Sequence, residues 1–100
     1  MPVQRFKMSP TCRGAIFKAK RWFYATFCKK ESQEIIDYNK KAWAQLATKL
    51  VEEANKLGIS DKPVRLTIEY NVDQNGKFQP IKATIEAFEM KNIGTYTISI

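Results

Sequence analysis

Apolar residues recur at three- and four-residue steps from Ile36 through Trp43, Leu46, Ala47, Leu50 and Ala54 to Leu57, which places them on one stripe of a helix. Ser32 stands where an N-cap hydroxyl is needed, and Gly58 follows the last periodic residue as a terminator. Lys40, Lys41, Lys49, Glu52, Glu53 and Lys56 fall largely on the opposite side and face water. The stripe is core, and Trp43 belongs to it.

Beyond Ser60-Asp61-Lys62-Pro63 the period changes to two. Val64, Leu66, Ile68 and Tyr70 alternate with Arg65, Thr67 and Glu69, the pattern of a strand with one buried face. Asn75-Gly76 predicts a tight type I′ hairpin, and Ile81, Ala83, Ile85 and Ala87 form the apolar face of the returning strand. A second turn around Lys91 to Gly94 leads to Tyr96, Ile98 and Ile100, which alternate with small hydroxyl residues. The last forty residues therefore read as a three-stranded antiparallel meander that needs the long helix to cover it.

The segment Gly14 to Lys30 fits two periods. As a strand it puts Phe17, Ala19, Phe23, Ala25 and Phe27 on one face, interrupted by Arg21, and Ile16, Lys18, Lys20, Trp22, Tyr24 and Thr26 on the other. As a helix starting from Ser9-Pro10 it buries Ile16, Ala19, Phe23 and Phe27 and scatters Phe17, Trp22 and Tyr24 around the cylinder. The clean alternation and the residue types favour the strand. Residues 2–8 are then either a hairpin arm anchored by Phe6 or a mobile tail. The expected fold class is α+β: an antiparallel sheet, made of the C-terminal three-stranded meander plus an N-terminal strand or hairpin, packed against a long α-helix.

One hundred residues, 44% of them hydrophobic, suffice for one core and predict a single domain over residues 1–100. No run approaches the roughly 18 apolar residues of a membrane span, and the first residues lack the apolar stretch of a secretory signal, so a soluble, cytoplasmic protein is expected. The absence of histidine removes the usual neutral-pH general base, and with only Cys12 and Cys28 a zinc site has too few ligands. The two cysteines are either reduced thiols, the plainer reading without a secretion signal, or a disulfide.

Charge changes the picture once it is located. The net charge is +7, yet residues 1–30 alone hold eight basic residues and no acid, while the remainder holds nine basic residues against ten acids. Six of the twelve aromatics share that first third. A face kept soluble by charge normally mixes signs, so unmixed cations beside flat rings point to a polyanion with exposed bases. Proteins that hold single strands combine Lys and Arg along a groove with aromatic stacking platforms.

The candidate phosphate contacts are Arg5, Lys7, Arg13, Lys18, Lys20, Arg21, Lys29 and Lys30, and the candidate stacking rings are Phe17, Trp22 and Tyr24. In the strand reading Lys18, Lys20, Trp22 and Tyr24 share a face; in the helix reading Phe17, Lys20, Arg21 and Tyr24 do. The expected partner is single-stranded DNA or RNA, bound without sequence preference. Two rivals remain open: an anionic membrane surface, disfavoured by the alternation, and a protein-interaction module in which the aromatics form an oligomer interface such as a homodimer.

Scattered carboxylates, no nucleophile motif and no glycine-rich phosphate loop argue against an enzyme, and no cofactor is implied. The stretch Arg13-Gly14-Ala15-Ile16-Phe17-Lys18-Ala19-Lys20-Arg21-Trp22-Phe23-Tyr24-Ala25, followed by a long helix and the Asn75-Gly76 hairpin, resembles the archaeal single-stranded-DNA-binding proteins of the ThermoDBP-related group. That resemblance implies an α+β domain that grips single strands in an apolar cleft flanked by basic residues, without metal or sequence preference.

Overall fold

A computed structural model describes residues 2–29 and 31–100 and contains five elements. In chain order they are β1 (Val3–Arg5), α1 (Cys12–Phe27), α2 (Gln33–Leu57), β2 (Val64–Val72) and β3 (Phe78–Ala87). The strands form an antiparallel sheet in the order β1-β2-β3. Both helices cover one face of it, α1 over β2 and α2 over β3. The α+β class follows from the composition of these layers.

The long helix forms where the apolar stripe places it. The Ser32 hydroxyl accepts from the Ile35 N–H at its start, and Gly58 closes it at φ 69°, a left-handed conformation that costs glycine little. Trp43, Leu50 and Ala54 are buried, whereas Leu57, expected in the core, is exposed beside β3.

Residues 12–27 are helical, which corrects the strand expected over this segment. The Thr11 hydroxyl caps the helix by accepting from the Gly14 N–H at 3.0 Å. Cys12, Ala15, Ala19, Phe23 and Phe27 then face inward. The period of 3.6 wins because the strand would have buried Arg21 in the middle of its apolar face, and the helix leaves that guanidinium in water.

The third strand also differs from the meander expected at the C-terminus. Tyr96, Ile98 and Ile100 form no strand here, and β1 takes the other edge of β2, with Val3 opposite Glu69 and Arg5 opposite Thr67. The N-terminal arm thus pairs with β2 and not with residues 14–30. Phe6 holds it in place by an edge-on contact with Trp22, ring centroids 5.6 Å apart.

The β2–β3 turn keeps its glycine but not its expected type. Gly76 has φ 89° while Asn75 stays at negative φ, so the type I′ geometry is not adopted. Instead the Asp73 carboxylate accepts from the Asn75 and Lys77 N–H groups and organises a five-residue loop. The β2–β3 register slips between Glu69 and Tyr70, leaving Ile81 as a half-exposed bulge residue.

The core is built around rings. Phe23 stacks on Trp43 at 5.1 Å and meets Phe27 and Phe78. Val64, Leu66 and Ile68 floor it from β2. Buried Asn39 ties the layers together: its amide donates to the Phe27 and Gly76 carbonyls, and its Oδ1 accepts from the Phe78 N–H at 2.8 Å.

Candidate nucleic-acid interface

With Phe23 and Phe27 turned inward, the helical period sets Arg13, Phe17, Lys20 and Tyr24 in one row on the outer side of α1. Phe17 is 60% exposed and Tyr24 37%. The Lys20 ammonium lies 5.7 Å from the centre of the Tyr24 ring, a cation–π spacing. Lys18 and Arg21 project from the adjoining side of the same helix.

Tyr24 forms a ridge between two open grooves. One, of about 750 Å³, is lined by Lys18, Arg21, Trp22, Tyr24, Ala25, Cys28, Lys29 and Lys40. The other, of about 450 Å³, runs between α1 and α2 and is lined by Arg13, Ile16, Phe17, Lys20, Tyr24, Trp43, Ala44, Ala47 and Thr48. Neither lining includes an aspartate or a glutamate. The ion pairs among the described residues are Lys56–Glu53, Arg65–Glu86 and Lys82–Glu69, so no cation of α1 is neutralised by a carboxylate within 4 Å.

Eleven residues were expected to act together, and the structure gathers eight of them. Arg13, Phe17, Lys18, Lys20, Arg21, Trp22, Tyr24 and Lys29 line the two grooves. Arg5 stands apart: it lies opposite Thr67 in the register, and residues opposite each other project from the same face. That face is the one turned away from the helices, where Arg65 meets Glu86 and Lys82 meets Glu69. Lys7 is exposed just beyond β1 and lines neither groove. Lys30 lies outside the described residues.

Trp22 takes a different part from the one expected of a stacking ring. It is half-buried, with edge-on contacts to Phe6, Phe27 and Tyr70 at 5.6 Å each, and also lines the larger groove. Its first role is to seat β1 and β2 against α1.

Sequence reasoning missed Lys40, which it placed on the solvent side of α2. The short α1–α2 connection brings the first turns of α2 beside the end of α1, so Lys40 joins the larger groove from across the chain. The only sequence signal is the brevity of that connection.

Cys12 and Cys28 are free thiols. They bracket a sixteen-residue helix, whose ends stand roughly 24 Å apart at 1.5 Å per residue, far beyond disulfide reach within one chain. Burial pushes both thiols above their ordinary value; at Cys28 the Lys40 ammonium pulls partly the other way.

Among the described residues no helix is long and apolar enough to cross a membrane, and no group of three or more metal-capable side chains comes together. No protein-family model, curated protein or solved structure matches this chain.

Proposed function

We propose that the chain binds single-stranded nucleic acid, DNA in preference to RNA, without sequence specificity and without catalysis, in the cytoplasm. The observation that carries this reading is the acid-free pair of grooves on either side of Tyr24, with exposed rings and cations interleaved at helical spacing. Phosphates run along Arg13, Lys18, Lys20, Arg21, Lys29 and Lys40, and bases stack on Phe17 and Tyr24. The rings tolerate any base because every base has a π face. A duplex offers no unstacked base to these rings, so it is bound more weakly.

Fluorescence anisotropy with a labelled single strand, its duplex, the matching RNA and anionic vesicles tests the reading. Six cations neutralising phosphates give a log–log salt slope of about −4, using about −0.7 per contact. Phe17→Ala and Tyr24→Ala each weaken single-strand binding about tenfold, equivalent to about 1.4 kcal/mol per lost stacking platform. A slope near zero, or equal affinity for the duplex, defeats the proposal. Preference for vesicles transfers the surface to a membrane.

A further inference from the structure

The outer edge of β3 carries no partner strand among the described residues. Pro80 has no N–H to offer and Ile81 bulges, which closes the first part of this edge to pairing and leaves Lys82–Ala87 as a regular six-residue run whose alternate residues turn their backbone groups outward. Below that edge, between α2 and β3, lies a groove of about 650 Å³ with Leu46, Leu50, Leu57, Ile59 and Ile85 in its lining.

The chain also holds a segment with the period of a strand and no sheet to join. Thr95-Tyr96-Thr97-Ile98-Ser99-Ile100 alternates apolar and hydroxyl side chains in the period of a half-buried strand, yet Tyr96 is 80% exposed and Ile98 82%. Its own β3 edge is not where it leads. The Phe88 N–H donates to the Pro63 carbonyl at 2.8 Å, one rung beyond the Val64–Ala87 pair, so the chain runs on along the line of β3 and off the end of the sheet without turning back on its outer edge. Residues 91–100 are all exposed, and the longest dimension reaches 56 Å against 21 Å for the shortest. The radius of gyration is 16.5 Å, where a compact chain of this length has about 13 Å.

We propose that residues 95–100 of one copy add as a strand to Lys82–Ala87 of a second copy, in a reciprocal exchange that turns Tyr96, Ile98 and Ile100 into the α2–β3 groove. The lengths match, six residues on six. Arm and groove belong to the same protomer, so a two-fold exchange uses each of them twice and buries the exposed apolar residues of both. An isologous pairing of this kind closes on itself, with both arms used and neither left for a third copy.

Sedimentation equilibrium of the full chain between about 1 and about 200 µM, the range where a micromolar dimer dissociates, tests the exchange. The expected result is a reversible dimer that Ile98→Asp, in the arm, and Ile81→Lys, at the groove, each weaken by at least about tenfold. Ile98 is 82% and Ile81 49% exposed in the single chain, and an unchanged circular dichroism spectrum verifies that each variant folds. Mixing the two variants is the decisive step. One contact of the mixed dimer is then intact and both substitutions share the other, where the introduced carboxylate and ammonium attract each other, so the mixed dimer is stronger than either variant alone. A chain that stays monomeric at every concentration, a dimer indifferent to both substitutions, or a mixture that gains nothing overturns the exchange.

Discussion

Asn39 lies in the middle of the buried face of α2, at helical spacing from Ile36 and Trp43, and is fully buried. A polar side chain is tolerated there because it serves three backbone groups from three places: the end of α1, the β2–β3 turn and the first residue of β3. The apolar stripe read from the sequence did not include Asn39, and its role carries no local signal, since none of the three partners is near it in sequence. Asn39→Leu keeps the approximate volume and leaves the Phe27 and Gly76 carbonyls and the Phe78 N–H without that partner. At about 1–3 kcal/mol for each buried group left unmatched, partly offset by relaxation and water, the expected loss is about 3 kcal/mol. Urea unfolding monitored by tryptophan fluorescence reads it as a lower midpoint with an unchanged slope. A shift below about 0.5 kcal/mol would mean that these backbone groups find other partners.

At the scale of elements, α2 and β2 were readable because each presents one clear period and ends on clear signals, Ser32 and Gly58 for the helix and the Ser60–Pro63 turn and Asn75-Gly76 for the strand. Helix α1 was not, because its even and odd positions also sort into a plausible strand, and the burial of Arg21 was the cost that decided against it. The candidate site survived the change of period, since Phe17, Lys20, Arg21 and Tyr24 cluster on a helix as well. Trp22 did not survive as a stacking ring: the helix rotates it toward Phe6 and Tyr70. Trp22→Ala therefore removes a packing anchor between α1 and two strands and lowers stability by about 3 kcal/mol. Tyr24→Ala, from the exposed ridge, changes stability by less than about 1 kcal/mol while weakening the bound strand. Thermal melts of the two variants side by side check the contrast. Equal melting temperatures would place Trp22 on the surface with Tyr24.

Across the whole molecule α2 is the divider. Its Trp43, Ala44, Ala47 and Thr48 side borders the α1 groove, and its Ala42, Leu46, Leu50 and Glu53 side borders the groove beside β3. The uneven charge of the sequence made the first surface legible; the second was not, because the apolar alternation of residues 95–100 reads as a strand of the same sheet and carries no mark of which copy supplies its partner. With arms exchanged on one side of α2, the acid-free face on the other side stays open in both protomers, so a dimer presents two faces to one flexible strand. Linked sites raise affinity by effective concentration without a new contact, commonly 10²-fold or more. A strand of about 12 nucleotides fills one face and one of about 40 can reach both. The full chain should therefore hold the longer strand at least about tenfold more tightly than its extra length explains, and Ile98→Asp should abolish that advantage while leaving affinity for the short strand unchanged. Anisotropy titrations of both strands, above the midpoint of dimer formation, read the difference. An Ile98→Asp chain that keeps the long-strand advantage would show that the faces are joined by some surface other than the exchanged arms. Loss of short-strand binding in that variant would instead place the arm within the nucleic-acid interface itself.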